Sequence, residues 1–180
     1  MLGGPVYIAL IRFVISLAGT ILLFSLMSEP RFSRKRMMVC YGGFSAVVIM
    51  IACAWYIADW KSCVKLVAFV IYMLFAFFAI NMSHDPIFLS VYKLALTFYM
   101  MAVFLVGGIE VAVIFFHRNV WADIVTRILL IALMAFFIEK KIKKSIQGFG
   151  YYVENELDRF SVTVMIVCIL FGIGFILNPN

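Results

Sequence analysis

Charged side chains are scarce in this chain of 180 residues, and their scarcity excludes most soluble proteins. Only 13% of the residues are Asp, Glu, Lys or Arg, whereas 66% are hydrophobic. A soluble domain usually carries about 25% charged residues and close to half apolar ones. The apolar excess is too large for the interior of one compact soluble domain, so lipid must be the solvent of much of the chain.

Histidine and cysteine are also rare, and they are not grouped as a reactive centre requires. The two histidines and four cysteines are scattered through the chain, without the paired spacing of a zinc or redox site. His84 and Asp85 have no second histidine nearby. We therefore expect buried apolar cysteines, no metal site and no cofactor.

Sequence motifs for catalysis are missing as well. We find no Walker loop, dinucleotide fingerprint, zinc-protease helix or nucleophile elbow. The basic residues fall into short clusters between apolar segments, where they set membrane orientation, and they indicate no nucleic-acid partner. We predict that this chain is not an enzyme and contains no catalytic residues.

Six apolar segments are long enough to cross a bilayer, where only a helix satisfies every backbone hydrogen bond. The sequence thus predicts an all-α fold, a polytopic membrane helix bundle with about six transmembrane helices. No linker rich in Pro, Ser or Gly divides the chain, so we predict a single domain over residues 1–180. The predicted spans cover residues 5–27, 38–58, 63–80, 87–116, 120–138 and 160–177.

Loop charges orient these spans. Four basic residues lie in 28–37 and five in 139–159, against only Lys61 and Arg118 in the connections on the opposite side. Because Lys and Arg are retained in the cytoplasm, we predict that both basic loops are cytoplasmic and both termini lie outside. We also expect the fifth helix to continue beyond the membrane as an amphipathic arm that ends near Gly148.

Four of the ionisable residues within the predicted spans share one layer near the outer side of the membrane, where charge is expensive and often functional. At 1.5 Å per residue, Arg12, Glu110 and Arg127 lie roughly 10 Å below the outer helix ends. Asp123 precedes Arg127 by four residues, a spacing that lets the two pair on one helix face. One hypothesis is that these charges only specify packing; the other is that they form a ligand-binding pocket open to the outside.

We expect at least one cross-helix contact to join these four residues around a cavity reachable from outside, and the pairing that we favour is that of Glu110 with Arg12 or Arg127. Small residues next to Glu110 favour close approach of a neighbouring helix, with Gly107, Gly108 and Ala112 as the candidates. The fourth span is too long for one membrane thickness, so we expect either that its start, around Tyr92 and Lys93, lies in the membrane interface or that the helix tilts.

The C-terminal third of the chain resembles the membrane sensor region of peptide-pheromone-type histidine kinases, whose ATPase half belongs to the GHKL superfamily. Asp123 and Arg127 lie at the start of a predicted helix, which is followed by the basic segment EKKIKKSIQGF. After it come the polar segment ENELDRF and an apolar helix that ends at Pro179. The turn from Ser83 to Pro86 is similar in placement. The resemblance implies a bacterial cell-membrane location and a signal-input role.

The resemblance covers the membrane part only, since the sequence shows no phosphoacceptor histidine region and no ATP-binding domain. We therefore expect a sensor portion without its kinase half. Two alternatives stay open: the small-molecule-binding subunit of a membrane transporter, and a non-catalytic structural or immunity-type membrane protein. Besides the lipid bilayer, the partners that we consider are an extracellular peptide or small-molecule ligand and a second copy of the chain.

Overall fold

The computed structural model describes residues 6–117 and 119–143, and most of these residues are helical. Within these two ranges there is no β-strand, only an isolated bridge between Pro30 and Ser83. The predicted all-α fold is therefore confirmed for this part of the chain. The helices are α1 (Val6–Met27), α2 (Arg34–Ala58), α3 (Trp60–Met82), α4 (Ile87–Phe115) and α5 (Val120–Phe137), and α5 continues into a π-helical turn (Ile138–Ile142).

Four of these helices are long and apolar enough to cross a membrane. The qualifying stretches are Tyr7–Met27, Arg34–Ala58, Leu89–Phe115 and Val120–Lys141. In α3 the apolar stretch Phe69–Met82 is shorter. The sixth predicted span, over 160–177, and the end of the amphipathic arm beyond residue 143 lie outside the described residues.

The surfaces of these helices are apolar. At most 33% of the most apolar stretch of any of the four is buried. Ile57, Phe77 and Val39 are 85%, 75% and 74% exposed. Water does not tolerate apolar surface on this scale in a monomeric protein, so the helices fit a membrane protein with transmembrane helices.

The described residues form two compact units, and α4 contributes its first nine residues to one and the remainder to the other. One unit comprises 6–27 and the described residues of 96–143. Its core consists of aliphatic and methionine side chains from α1, α4, α5 and the π-helical turn. These are Leu23, Met27, Met100, Met101, Ile131 and Ile138.

Within this unit, α1 and α5 run in the same direction. Arg12 contacts Asp123 near the start of both helices. Further along, a Cβ at Gly19 would touch Ile131, and the end of α1 packs with the π-helical turn. The absence of a side chain at Gly19 lets Ile131 approach the α1 backbone closely.

The other unit, described here over 28–95, is built on α2 and α3. The two helices are separated by Asp59 alone, whose extended backbone (φ −150°, ψ 91°) interrupts the helical conformation. Phe78 joins them by stacking on Phe44 with ring centroids 4.4 Å apart and by an edge contact to Tyr41 at 5.5 Å. The single domain predicted for the whole chain stays a prediction.

Candidate functional site

A buried carboxylate holds two guanidinium groups at the start of α5. Asp123 is completely buried, and its Oδ1 accepts a hydrogen bond of 2.7 Å from Nε of Arg127, one turn further along the helix. Its Oδ2 lies 2.8 Å from Nε of Arg12 on α1. Three of the four residues singled out from the sequence are therefore in direct contact, and we call Arg12, Asp123 and Arg127 the ion cluster.

Local sequence places Asp123 at this position. Asn119 caps α5, because its side chain accepts a hydrogen bond of 3.0 Å from the backbone N–H of Trp121. Asp123 follows in the first turn, where the helix dipole favours negative charge. The i, i+4 spacing then brings Arg127 onto the same face, as the sequence predicted.

Gly108 on α4 makes room for the ion cluster. A Cβ at this position would lie 2.8 Å from both Asp123 Oδ1 and Arg127 Cγ. No real side chain tolerates such a separation, so the charged pair packs directly on the α4 backbone. The predicted close approach at Gly108 is confirmed, and Ala112, one turn later, is fully buried.

The expected cross-helix contact is made by Arg12 and Asp123. The pairing of Glu110 with Arg12 or Arg127 that we favoured was wrong, because Glu110 does not join the cluster. Glu110 is exposed, and it forms no ion pair with another residue in the described part of the chain. The cause is helix geometry: Glu110 follows Gly108 by two residues, which rotates it by about 200° around the helix axis. It therefore faces away from the ion cluster.

The three members of the ion cluster differ in accessibility. The side chains of Asp123 and Arg127 are 0% and 6% exposed, whereas that of Arg12 is 19% exposed. Arg12 is thus the most exposed member of the cluster, although its Nε and Nη2 atoms are themselves buried.

The Arg12 contact is an ion pair with imperfect geometry. Nε is close to the carboxylate, but its N–H does not point along a hydrogen-bond direction, and the buried Nη2 has no hydrogen-bond acceptor among the described residues. A buried donor without an acceptor costs about 1–3 kcal/mol. The cluster therefore holds two guanidinium groups against one carboxylate and leaves two buried donors, Arg12 Nε and Nη2, and one buried acceptor, Asp123 Oδ2, without a hydrogen bond among the described residues.

A second buried ion pair was not predicted from the sequence. Lys93 on α4 is only 1% exposed, and its Nζ lies 2.8 Å from Asp85 Oδ2 in the turn before that helix. The same oxygen accepts hydrogen bonds from Ser83 Oγ at 2.8 Å and from the Glu29 backbone N–H at 3.2 Å. Lys93 is thus enclosed by protein at the helix start that we assigned to the membrane interface.

Asp85 thereby ties two turns of the chain together. Main-chain hydrogen bonds from Arg31 N to Met82 O and from His84 N to Glu29 O, at 3.1 and 2.9 Å, run alongside its contacts. The available sequence signal was an acidic residue just before Pro86 with a lysine two helical turns later. This arrangement fixes the loop between α1 and α2 to the loop between α3 and α4.

The far end of α5 departs from regular α-helix. The π-helical turn begins at Ile138, which is completely buried in the core cluster with the end of α1. Lys140 lies 4.6 Å from the ring centre of Phe136. Single π-helical turns are rare and are often found at functional sites.

Comparison with known proteins adds no family. No protein-family model, no curated protein and no solved structure matches the chain. The class defined here is that of an all-helical protein whose apolar helices fit a membrane protein and whose α1 and α5 are joined by a buried ion cluster.

Proposed function

We propose that this chain is the sensory, signal-input domain of a bacterial membrane receptor, similar in layout to the membrane region of GHKL-type histidine kinases. In this proposal it has six transmembrane helices with both termini outside and its basic loops in the cytoplasm. The ion cluster then faces the outer side and the π-helical turn faces the cytoplasm.

The observation that carries the proposal is the connection of α5 at both of its ends. At one end Asp123 holds Arg12 of α1 through a buried ion pair. At the other end α5 passes through the π-helical turn into the basic residues that would lead to the cytoplasm. A ligand that changes the α1–α5 contact at the first end would therefore act on the same helix that leaves the bundle at the second.

The physical requirement for such signalling is differential binding. A ligand shifts the equilibrium between two arrangements only if it binds one of them more tightly. A buried ion pair meets this requirement, because a charged ligand that binds one of its members alters the charge balance of the contact between them. The π-helical turn adds a place where α5 can change register against α1 without unfolding.

Hydrogen–deuterium exchange of the full chain in nanodiscs tests the proposal. We expect Asp123→Asn to accelerate amide exchange in the π-helical turn, about 15 residues and roughly 22 Å from the substitution. Glu110→Gln is the charge-matched control, and Ile131→Ala controls for general destabilisation of the same core. The coupling that a sensor requires would be overturned if Asp123→Asn changed amide exchange only in the first turns of α5. In that case exchange in the π-helical turn would be the same as in Ile131→Ala.

A further inference from the structure

The Arg12 guanidinium offers a donor that the described residues do not use. Its Nη2 is buried and has no hydrogen-bond acceptor there. Asp123 Oδ1 is hydrogen-bonded to Arg127, and Asp123 Oδ2 lies 2.8 Å from Nε of Arg12 without forming a hydrogen bond to Nε or Nη2. A second anion beside Arg12 would give Nη2 the acceptor that Asp123 does not provide in this geometry.

The charges of the cluster specify the nature of that acceptor. Two guanidinium groups share one carboxylate, so one further anion balances the buried charge. The sequence suggested Glu110 for this role, but Glu110 lies on another face of α4. A guanidinium matches the two oxygens of a carboxylate with parallel N–H donors, and the only anion already bound in the cluster is a carboxylate.

Arg12 is also the member of the ion cluster that is closest to the protein surface. It is the most exposed member of the cluster, at 19%. It lies in the second turn of α1, so a ligand need not enter the middle of the bundle to reach it. An anion bound there would sit beside the Arg12–Asp123 contact that joins α1 to α5.

We propose that Arg12 binds the carboxylate of a small organic acid or of a peptide C-terminus, and that this group is the ligand signal of the domain. The inference rests on the proposed sensory function and adds the chemical class of the ligand. The carboxylate takes the unused Arg12 donor and supplies the second anion of the cluster, so that two cations face two anions.

Binding to the purified full chain in nanodiscs of zwitterionic lipid provides the test. The probes are acetate, N-acetylglycine and N-acetyl-leucine, each compared with its neutral amide, and Trp121 fluorescence and calorimetry give the readouts. We expect saturable binding of at least one acid, with its amide about tenfold weaker or worse, as the loss of one charge-assisted hydrogen bond requires. Equal binding of acid and amide, or no binding by any acid, would overturn the proposal.

Variants assign the binding to Arg12. Arg12→Gln should weaken the acid by about tenfold or more, Arg12→Lys should retain part of the affinity, and Glu110→Gln should retain all of it. Asp123→Asn should bind the acid more tightly, because it removes the anion that competes for Arg12, and a misfolded variant cannot mimic this gain. Unchanged binding in Arg12→Gln, or weaker binding in Asp123→Asn, contradicts the proposal.

Two further measurements distinguish the remaining outcomes: acid binding in nanodiscs that contain an anionic lipid, and the hydrogen–deuterium exchange described above. If nanodiscs with phosphatidylglycerol abolish the acid binding that the parent shows in zwitterionic lipid, a lipid headgroup occupies Arg12 and the soluble ligand is excluded. If the acid binds but Asp123→Asn has no effect on amide exchange in the π-helical turn, the carboxylate site stands and the proposed sensory function is overturned. If Asp123→Asn accelerates amide exchange in the π-helical turn but no acid binds, the proposed sensory function stands and the carboxylate site is overturned.

Discussion

Gly108 lies so close to Asp123 that a Cβ on the glycine would come within 2.8 Å of the carboxylate Oδ1. The same Cβ would meet Arg127 Cγ at 2.8 Å. Both side chains are held by their mutual ion pair, so neither can move away cheaply. Gly108 therefore packs directly against the ion cluster, although it carries no charge.

Replacing Gly108 with alanine should destabilise the protein by about 1–3 kcal/mol, the usual cost of overpacking a closed core. Gly107→Ala is the matched control, because its Cβ would lie 3.7 Å from Leu130 Cδ1, an ordinary contact distance. We expect the control to stay within about 1 kcal/mol of the parent, aided by the helix preference of alanine. Thermal unfolding in detergent gives the comparison, and equal melting temperatures for the two variants would contradict it.

Asp123→Asn should be strongly destabilising. The substitution leaves Arg12 and Arg127 without the carboxylate that both contact, and removing one partner of a buried ion pair costs about 3–5 kcal/mol. Glu110→Gln, an equal loss of one carboxylate on the exposed side of α4, should leave the melting temperature nearly unchanged. From the sequence we expected Glu110 to stabilise the fold, and a large loss of stability in Glu110→Gln would restore that expectation against the structure.

The Asp85–Lys93 pair supports a third stability prediction. Asp85→Asn should destabilise the protein by about 3–5 kcal/mol, because it leaves the buried Lys93 ammonium without its carboxylate. Lys93→Met in the same chain should recover part of the loss, since it removes the buried ammonium that Asp85 neutralises in the parent. Glu29→Gln is the control: that residue is exposed and contributes only its backbone N–H to Asp85. Additive losses in the double variant would show that the two side chains are not coupled.

The helices were predictable because their signal is local. Long apolar runs bounded by charges and Pro86 gave α1, α4 and α5 to within one or two residues, and the i, i+4 spacing gave the Asp123–Arg127 contact. In α2 the helix begins at Arg34, four residues before the predicted span, because a helix can extend through basic interfacial residues that do not themselves cross the membrane.

The contacts between helices were harder to predict, for a geometric reason. Counting residues gives the depth of a side chain in a helix, but it does not give the direction in which that helix face points. Arg12 and Glu110 share a depth, yet Arg12 turns towards α5 and Glu110 away from it. Asp85 and Lys93 escaped notice because their pairing depends on how two turns fold against each other, which no helical periodicity encodes.

The proposed orientation leads to the last prediction, which concerns the sides on which the loops lie. Alkaline phosphatase inserted near Lys61 should be active, because this enzyme works only outside the cytoplasm. Insertions near Lys35 and Lys143 should be inactive, and green fluorescent protein at the same three positions should give the opposite pattern.

The physical basis of this topology prediction is the retention of Lys and Arg on the cytoplasmic side, with nine basic residues in the loops 28–37 and 139–159 against two in the opposite connections. Phosphatase activity near Lys143 would place the π-helical turn outside. A signal could then not pass from the ion cluster along α5 to the cytoplasm, and the sensory proposal would have to be abandoned together with the orientation.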